Sequence, residues 1–348
     1  TFMNISEFDY HLPRELIAQS PARSRSASRL MILDHTTGSI THSRFRRIVD
    51  YLRAGDALVV NNTKVFKARL WGFRKTGGKI EVFLIRRSAG DVSERWEAFV
   101  SPSRRLHNDE RVYFDDRFSV RLDQDMGNGR WLIQFDSAGK FRQIVSRFGH
   151  VPLPHYIGRD DAREDIRRYQ TLFADRHRVG AVAAPTAGFH FTRLLLSQVE
   201  KMGVRMIPLT LHVGPGTFKP VKCEEIEDHV VDPEFAELSV DSAEAITHTR
   251  ASGGRLFVVG TTSVRTLESA PVVNERIQPF SGLVNLYIQP GFSFRWTDQL
   301  VTNFHLPKSS LLILVSAYAG RQRILEAYRT AIAERYRFYS YGDAMLIR

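Results

Sequence analysis

The chain of 348 residues is 43% hydrophobic and 25% charged, the balance of a folded globular protein, and its length predicts two domains. No apolar run is long enough to cross a bilayer, and the first residues lack the pattern of a secretory signal, so we expect no membrane contact. The formal net charge of +11 favours a polyanionic partner, most commonly nucleic acid, although a basic enzyme without such a partner has the same balance.

The first part of the chain is predicted to belong to an α/β domain. Arg23 and Arg25 lie in a serine-rich run that suits a phosphate-facing loop, with an ordinary solvated loop as the alternative. Apolar residues at helical spacing predict a helix over Phe45 to Leu52. A buried strand over Asp56 to Val60 leads directly into Asn61. Polar residues that follow a strand often bind ligands, but consecutive asparagines are also common in turns.

From Lys67 onwards the pattern changes to short, regularly spaced strands rich in arginine and lysine. Such a run predicts a small closed sheet or barrel. Helical spacing returns at Phe141 to Phe148. We therefore predict a mixed-sheet α/β domain formed by residues 1–62 and 151–348, with a small all-β domain, a small sheet or closed barrel, inserted at residues 63–150. The predicted strands of the insert cover Ala68 to Phe73, Lys79 to Ile85, Trp96 to Val100, Arg111 to Phe114, Phe118 to Leu122 and Trp131 to Phe135.

Two glycine- and threonine-containing loops flank a predicted helix and strand in the middle of the chain. The first loop, Ala183 to Phe191, carries His190, and the second, Leu209 to Phe218, carries His212. A loop, a helix, a strand and a second loop in this order is how an open α/β sheet forms a ligand crevice at its strand ends. The small residues in both loops allow a ligand to approach the backbone closely.

A third polar loop follows the predicted strand over Arg255 to Val259. It contains a glycine, then hydroxyl residues, then the start of a helix, an arrangement typical of anion or ribose binding. Neither a dinucleotide fingerprint nor a Walker loop is present. Near the C-terminal end, His305 lies in the run T-N-F-H-L-P-K-S, which leads into a buried helix.

The three histidines raise the question of a metal site. Cys223 is the only cysteine, and no carboxylate recurs at ligand spacing, so we expect no metal. The absence of a disulfide framework also favours a cytoplasmic location. Imidazole titrates near neutral pH, which suits acid–base catalysis or ligand binding. A buried histidine that satisfies loop backbone is an equally valid interpretation of any one of them.

Long sequence motifs, in order and spanning nearly the whole chain, resemble the S-adenosylmethionine:tRNA ribosyltransferase-isomerase family of queuosine biosynthesis. They include F-D-Y-x-L-P-x-x-L-I-A-Q (Phe8 to Gln19), G-D-A-L-V-V-N-N-T-K-V (Gly55 to Val65), A-V-A-A-P-T-A-G-F-H-F-T (Ala181 to Thr192), L-H-V-G-P-G-T-F-K-P-V (Leu211 to Val221), G-T-T-S-V-R-T-L-E-S (Gly260 to Ser269), T-N-F-H-L-P-K-S (Thr302 to Ser309) and Y-G-D-A-M (Tyr341 to Met345).

The resemblance implies an α/β domain with an inserted β-barrel, and it implies the reaction. The ribosyl unit of S-adenosylmethionine is transferred to 7-aminomethyl-7-deazaguanine at the wobble position of tRNA and rearranged, giving epoxyqueuosine, adenine and methionine. S-adenosylmethionine is then a substrate, so no cofactor is expected. The expected partners are S-adenosylmethionine and the tRNA, and the enzyme is expected to be a monomer.

This chemistry needs a base for the C–H beside the sulfonium, an acid for the departing adenine, and hydrogen-bonding groups for the ribose. We predict that His190 and His212 lie in one pocket with Thr261 and Thr262 and are the candidates for base and acid, in either order, with His305 as a third candidate. Substrate binding is assigned to Asn61, Thr186, Gly188, Gly214, Gly216, Thr217, Thr261, Thr262 and Ser263, and contact with tRNA phosphates to Arg23, Arg25, Arg69, Lys79, Arg104 and Arg105.

Asp232 departs from the family pattern, which often has H-x-M-H-x-E where this chain has H-V-V-D-P-E. A second histidine is thereby replaced by a carboxylate. Two other functions remain open. An S-adenosylmethionine-dependent RNA methyltransferase is disfavoured by the missing glycine fingerprint. A noncatalytic tRNA-binding protein is disfavoured because such proteins place basic and aromatic residues where this chain has loops of histidine, threonine and glycine.

Overall fold

The computed structural model describes residues 2–88, 94–218 and 220–348, with only the backbone of Ala138, Thr217 and Phe218. The first part of the main body contributes β1 (Arg29–Leu33), β2 (Ile40–Arg44), β3 (Ala57–Asn61) and β4 (Lys64–Val65). The insert contributes β5 (Arg69–Phe73), β6 (Lys79–Arg87), β7 (Glu94–Ser101), β8 (Arg111–Tyr113), β9 (Ser119–Gly127), β10 (Arg130–Phe135), α1 (Ala138–Phe148) and β11 (Gly149–His150).

The remaining elements complete the main body. They are α2 (Asp165–Arg168), β12 (Val179–Ala181), α3 (Arg193–Lys201), β13 (Arg205–Leu211), β14 (Glu234–Leu238), α4 (Val240–Ala251), β15 (Leu256–Val259), α5 (Thr261–Ser269), β16 (Val272–Val273), β17 (Arg276–Ile277), β18 (Phe280–Val284), β19 (Gln299–Asn303), α6 (Ser310–Ala319), α7 (Arg321–Ala333) and β20 (Ala344–Ile347). The 3₁₀ segments cover Ile5–Phe8, Arg14–Leu16, Arg25–Ala27, Phe45–Tyr51, Thr186–His190, Pro215–Phe218 and Ile226–Asp228.

In the described part of the chain, the main body is organised around a nine-stranded mixed sheet in the order β18-β14-β13-β3-β15-β19-β20-β1-β2. The four central strands β13, β3, β15 and β19 run parallel. Their carboxyl ends therefore lie at one edge of the sheet, which is where open α/β folds bind ligands. The loops that follow Asn61, Leu211, Val259 and Asn303 all begin at this edge.

Both faces of the central strands are buried, which explains their continuous apolar sequences. Along β3, Val59 faces a core built mainly with α5 and α6, whereas Leu58 and Val60 face a second core built with α3 and the 3₁₀ segment Phe45–Tyr51. The same alternation recurs in β15. Among the described residues, no helix is both long enough and apolar enough to span a membrane.

The insert is a closed antiparallel barrel of β5, β6, β7, β10, β9 and β8, sealed by pairing between β8 and β5. Its strands alternate between buried and more exposed positions, as in β10, because one face points into the barrel. The interior is filled by apolar side chains such as Leu70, Val82 and Trp131. Val182 of the main body belongs to the same cluster, so the barrel packs directly against the α/β domain.

The predicted fold class, a mixed-sheet α/β domain with an inserted small barrel, is confirmed. The barrel strands fall between Arg69 and His150, and β4 at Lys64–Val65 pairs with β12 of the main body. The domain limits of residues 62/63 and 150/151 stay a prediction. One predicted element differs in type, because residues Phe45–Tyr51 form a 3₁₀ helix in place of the expected α-helix.

Asp56 joins the starts of β3 and β15 and provides a test of the central sheet. Its buried carboxylate accepts hydrogen bonds from Arg255 Nη2 at 2.6 Å and from the Arg53 and Arg255 amides at 2.9 and 3.0 Å. Burial alone would raise the pKa of Asp56, but these bonds outweigh it and lower the pKa. The stabilisation is therefore present above the ordinary carboxyl pKa of about 3.9 and is lost as the pH falls through the folded value.

We expect Asp56→Asn to lower the free energy of unfolding by about 1.5–3 kcal/mol at pH 7, because it removes the carboxylate that accepts charged hydrogen bonds from the partly exposed Arg255. Urea unfolding measures this. Asp50→Asn removes the partner of an exposed pair with Arg47 and should change the free energy by less than about 0.5 kcal/mol. Equal effects of the two substitutions would contradict a special role for Asp56.

Candidate active site

A cavity opens at the carboxyl edge of the central strands, in the position that the sheet topology favours. About 630 Å³ of it, including its mouth, is not filled by protein atoms. Its polar lining is mostly uncharged and comprises Tyr156, Thr186, Thr261, Thr262, Thr302, Asn303, His305, Ser309, Tyr339 and Ser340. We call it the hydroxyl cavity.

Gly260 shapes one wall of the hydroxyl cavity. Its φ of +91° is a conformation that residues with a side chain rarely adopt, and its amide donates to the Val301 carbonyl at 2.8 Å. The turn places Thr261 and Thr262 in the first turn of α5, where backbone N–H groups lack partners within the helix. This wall therefore offers both hydroxyls and a helix N-terminus to a ligand.

Asn303 links the hydroxyl cavity to His190. Its Oδ1 accepts from Thr186 Oγ1 at 3.1 Å, and its Nδ2 lies 3.2 Å from His190 Nε2. Because an amide nitrogen can only donate, Nε2 accepts, and Nδ1 of the ring donates to Ser28 Oγ at 2.8 Å. Burial, with a smaller contribution from Arg25, lowers the pKa of His190 to about 3. The ring is therefore neutral at pH 7.

His305 lies in the wall of the hydroxyl cavity. Its Nε2 is 2.8 Å from Thr302 Oγ1, and burial lowers its pKa to about 3. Tyr156 and Tyr339 belong to the same lining and stack with ring centroids 4.5 Å apart. The Tyr339 hydroxyl is buried and has no hydrogen-bond partner among the described residues. A neutral imidazole, hydroxyls and aromatic rings together suit an uncharged nucleoside.

A second cavity adjoins the first and is charged. The two share Leu311, and neighbouring residues line both of them, such as Val213 in one and Gly214 in the other. About 1,000 Å³, including the mouth, is unfilled. We call it the charged cavity. Its lining includes the ionisable residues Arg86, Arg130, His229, Asp232, Glu234, Arg265 and Tyr287.

Two ion pairs form the walls of the charged cavity. Glu234 pairs with Arg265 inside the main body, and the side chains of both are more than 90% buried. Glu234 Oε1 also accepts from the Gly214 amide at 2.6 Å. Asp232 pairs with Arg130 of the insert at 3.0 Å, so the cavity lies where the barrel meets the α/β domain. A side chain at Gly216 would approach Asp232 within 3.1 Å.

The structure does not place His190 or His212 in the lining of the hydroxyl cavity with Thr261 and Thr262, so a pocket shared by the four residues stays a prediction. Of the three histidines, only His305 lines the hydroxyl cavity. Val213 faces this cavity, and because side chains alternate along an extended chain, His212 points the opposite way. There it lies 2.8 Å from Thr63 Oγ1 and stacks on Phe235. Burial, followed by the charge of Arg178, lowers its pKa to about 4.

His190 is directed away from the hydroxyl cavity for a related reason. Thr186 and His190 are the first and last residues of a 3₁₀ segment, which has three residues per turn. A separation of four residues therefore rotates the two side chains apart by about 120°. His190 instead borders a small cleft with Arg25 and Tyr341. Catalytic roles for the three histidines stay predictions.

The other predicted substrate-binding residues divide into two groups. Thr186, Thr261 and Thr262 line the hydroxyl cavity, and Gly214 and Gly216 line the charged one. The side chain of Thr217 lies outside the described residues. The rest have contacts within the protein: Asn61 bonds to Leu211 and Thr262, Gly188 packs against Thr171, and Ser263 donates to the Val259 carbonyl.

The predicted tRNA contacts also divide. Arg25 donates to four backbone carbonyls, among them those of Phe189 and Gln170, and Arg69 pairs with Glu81 at 2.8 Å. Both guanidinium groups are therefore used inside the fold and are poorly placed for phosphate. The other four predicted contacts are exposed, namely Arg23, Lys79, Arg104 and Arg105.

Several residues that shape the site were not singled out from the sequence. Asn303 and Arg265 lie inside motifs noted above, and a polar residue at a strand end or in the first turns of a helix is a usable signal. Glu234 begins β14, and its partner is 31 residues away. Arg130 and Tyr156 carry no local signal, because only the docking of the barrel and of residues 151–164 brings them to the crevice.

We expect His190 to make stability depend on pH between 7 and 5. The unfolded ring takes up a proton near pH 6.5, whereas the folded ring does so only near pH 3, so stability is complete above pH 6.5 and falls below it. At pH 5 the loss from this one group is about 2 kcal/mol. In urea unfolding, His190→Gln should reduce the difference in the free energy of unfolding between pH 7 and pH 5 by that amount.

His248→Gln serves as the control, because this ring lies on the exposed side of α4 and should leave the wild-type difference unchanged. An unaltered pH dependence in His190→Gln would contradict the placement of a neutral, buried ring.

Comparison with known proteins gives the family. A family model described as queuosine biosynthesis protein matches residues 5–347. The chain is 46% identical over 348 residues to a protein of Acetivibrio thermocellus named S-adenosylmethionine:tRNA ribosyltransferase-isomerase. It is 47% identical over 347 residues to a protein of the same name from Pelotomaculum thermopropionicum. Both alignments cover 99% of this chain and 100% of the relative.

A solved structure agrees with this relationship. The crystal structure of the S-adenosylmethionine tRNA ribosyltransferase from Thermotoga maritima is 36% identical to this chain, with a TM-score of 0.57. The alignment covers 99% of this chain and 100% of that one. Because the family model and these relatives match along nearly the entire sequence, the chain belongs to the queuosine biosynthesis protein family.

Proposed function

We propose that this protein is an S-adenosylmethionine:tRNA ribosyltransferase-isomerase. It moves the ribosyl unit of S-adenosylmethionine onto the aminomethyl group of 7-aminomethyl-7-deazaguanine in tRNA and rearranges it, releasing adenine and methionine. The observation that carries this assignment is 46–47% identity, over their full length, to proteins of that name. The crevice at the strand ends supports it, because its two cavities can hold an uncharged nucleoside and a charged group side by side.

The residues of the crevice suggest how the reaction proceeds. In this proposal the hydroxyls of Thr186, Thr261 and Thr262 bind the ribose and the tyrosine rings pack against adenine, which is supported by their shared position in the cavity lining. His305 enters as a neutral imidazole, which can accept a proton from the acidified C–H or, once protonated, donate one to adenine. His190 holds Asn303 in position and acts through it.

The proposal keeps the prediction of a monomer. It also keeps the expectation that no metal takes part. In support, no three histidine, cysteine or carboxylate side chains of the described residues are arranged to hold a metal ion. A cytoplasmic location stays a prediction.

The products of one incubation test the reaction. Given S-adenosylmethionine and tRNA carrying 7-aminomethyl-7-deazaguanine, the protein should release adenine and methionine in equal amounts and without added metal or reductant. A methyltransferase would release S-adenosylhomocysteine, and a noncatalytic tRNA-binding protein would release nothing. Chromatography of the small molecules separates the three results. Adenine release that does not depend on tRNA would also contradict the assignment.

The exposed basic residues of the insert are proposed to contact tRNA phosphates. Alanine at Lys79, Arg104 and Arg105 together should lower the slope of log affinity against log salt by roughly one unit per lost contact. Arg117→Ala, which removes an exposed charge from the turn between β8 and β9, is a single-site control for general electrostatics. Arg69→Ala should destabilise the barrel with little change in slope. Wild-type affinity and slope in the triple variant would refute this placement.

A further inference from the structure

Two ion pairs line the charged cavity, and His229 and Arg86, whose partner is Glu97 of the insert, lie in the same lining. Asp232 and Arg130 face each other across the junction between barrel and main body, and Glu234 and Arg265 form the inner pair. Asp232 and Arg130 remain 40% and 27% exposed, so a ligand can reach them. A cavity that bound only phosphate would be expected to present cations alone, because carboxylates repel an anion.

The inner pair is costly unless it has a further partner. Glu234 and Arg265 are both nearly buried, and removing two charges from water carries a penalty that their mutual attraction only partly offsets. Arg265 Nε is buried and lacks a hydrogen-bond partner within the described part of the chain. Because this incompletely bonded guanidinium lines the cavity, a ligand carboxylate there would add the anionic partner that its Nε lacks.

We propose that the charged cavity binds the zwitterionic amino-acid end of a sulfonium nucleoside, with the α-carboxylate directed to Arg130 and Arg265 and the α-ammonium to Asp232 and Glu234. The inference rests on the proposed function, which supplies such a substrate in S-adenosylmethionine. The nucleoside then lies in the hydroxyl cavity. The sulfonium centre lies between the two, near the shared Leu311.

The difference between the cavities supports this division. No lysine, arginine, aspartate or glutamate is among the described residues that line the hydroxyl cavity, whereas the adjoining cavity contains both signs of charge. A molecule with an uncharged end and a zwitterionic end therefore fits the two adjoining cavities, with one end in each. Asp232 stands where the family pattern often has histidine, and at neutral pH a carboxylate is the better partner for an ammonium group.

Calorimetric binding of three nucleosides to the full chain tests the proposal. S-adenosylmethionine carries both charged groups, decarboxylated S-adenosylmethionine keeps only the ammonium, and 5′-methylthioadenosine has neither. Arg130→Ala should weaken the binding of S-adenosylmethionine by roughly 10- to 100-fold, because a hydrogen bond to a charged group is lost. The same variant should bind 5′-methylthioadenosine like the wild type and the decarboxylated compound equally well or more tightly.

Asp232→Asn should give the complementary pattern. It should weaken the binding of both ligands that carry an ammonium group and leave the affinity for 5′-methylthioadenosine unchanged. Arg130→Lys keeps the charge and should restore part of the affinity for S-adenosylmethionine. Arg117→Ala, with the same loss of charge elsewhere on the insert, should alter none of the three. Thermal unfolding of each variant confirms that it is folded.

Equal weakening of all three ligands in Arg130→Ala, or of none, would overturn the proposal. So would a variant that loses tRNA affinity but binds S-adenosylmethionine normally, since the cavity would then take a phosphate. Failure of the proposed function is seen separately, as the absence of adenine and methionine from the wild-type reaction.

Discussion

The parallel direction of β13, β3, β15 and β19 is the constraint on which the rest of the structure depends. Parallel strands require long crossover connections, and these supply the helices that cover both faces of the sheet. They also bring four strand ends to one edge, so that loops far apart in sequence meet there. The hydroxyl cavity exists because the loops after β15 and β19 face the segment that begins at Ala184.

The fold class could be predicted because it depends on patterns that are local and repeated. Continuous apolar runs mark strands buried on both faces, and alternating runs mark the barrel. The directions of single side chains within the loops were less predictable. His212 and Val213 are adjacent, yet only Val213 faces the crevice, and the choice between them depends on the register of β13. His190 is turned away by the pitch of a 3₁₀ segment that the sequence did not predict.

Charge partners were the least predictable feature. Arg69 and Arg25 look like exposed basic residues in the sequence. In the fold Arg69 pairs with Glu81, and Arg25 donates hydrogen bonds to backbone carbonyls. Arg130 reaches Asp232 over a separation of 102 residues, and no periodicity encodes such a contact. Density of arginine predicts that a surface is basic, whereas the availability of each arginine depends on how the two domains dock.

The position of β20 has a consequence for how the molecule is made. This strand lies between β1 and β19, and all four of its residues are buried. Leu30 is therefore exposed on that side until Ala344 has been synthesised and can pair with it. The barrel closes within a short stretch of chain and can fold on the ribosome, but the central sheet cannot. Until β20 has been made, the backbone N–H and C=O groups along this edge of β1 stay unpaired, and an unpaired strand edge is a template for aggregation of the nascent chain.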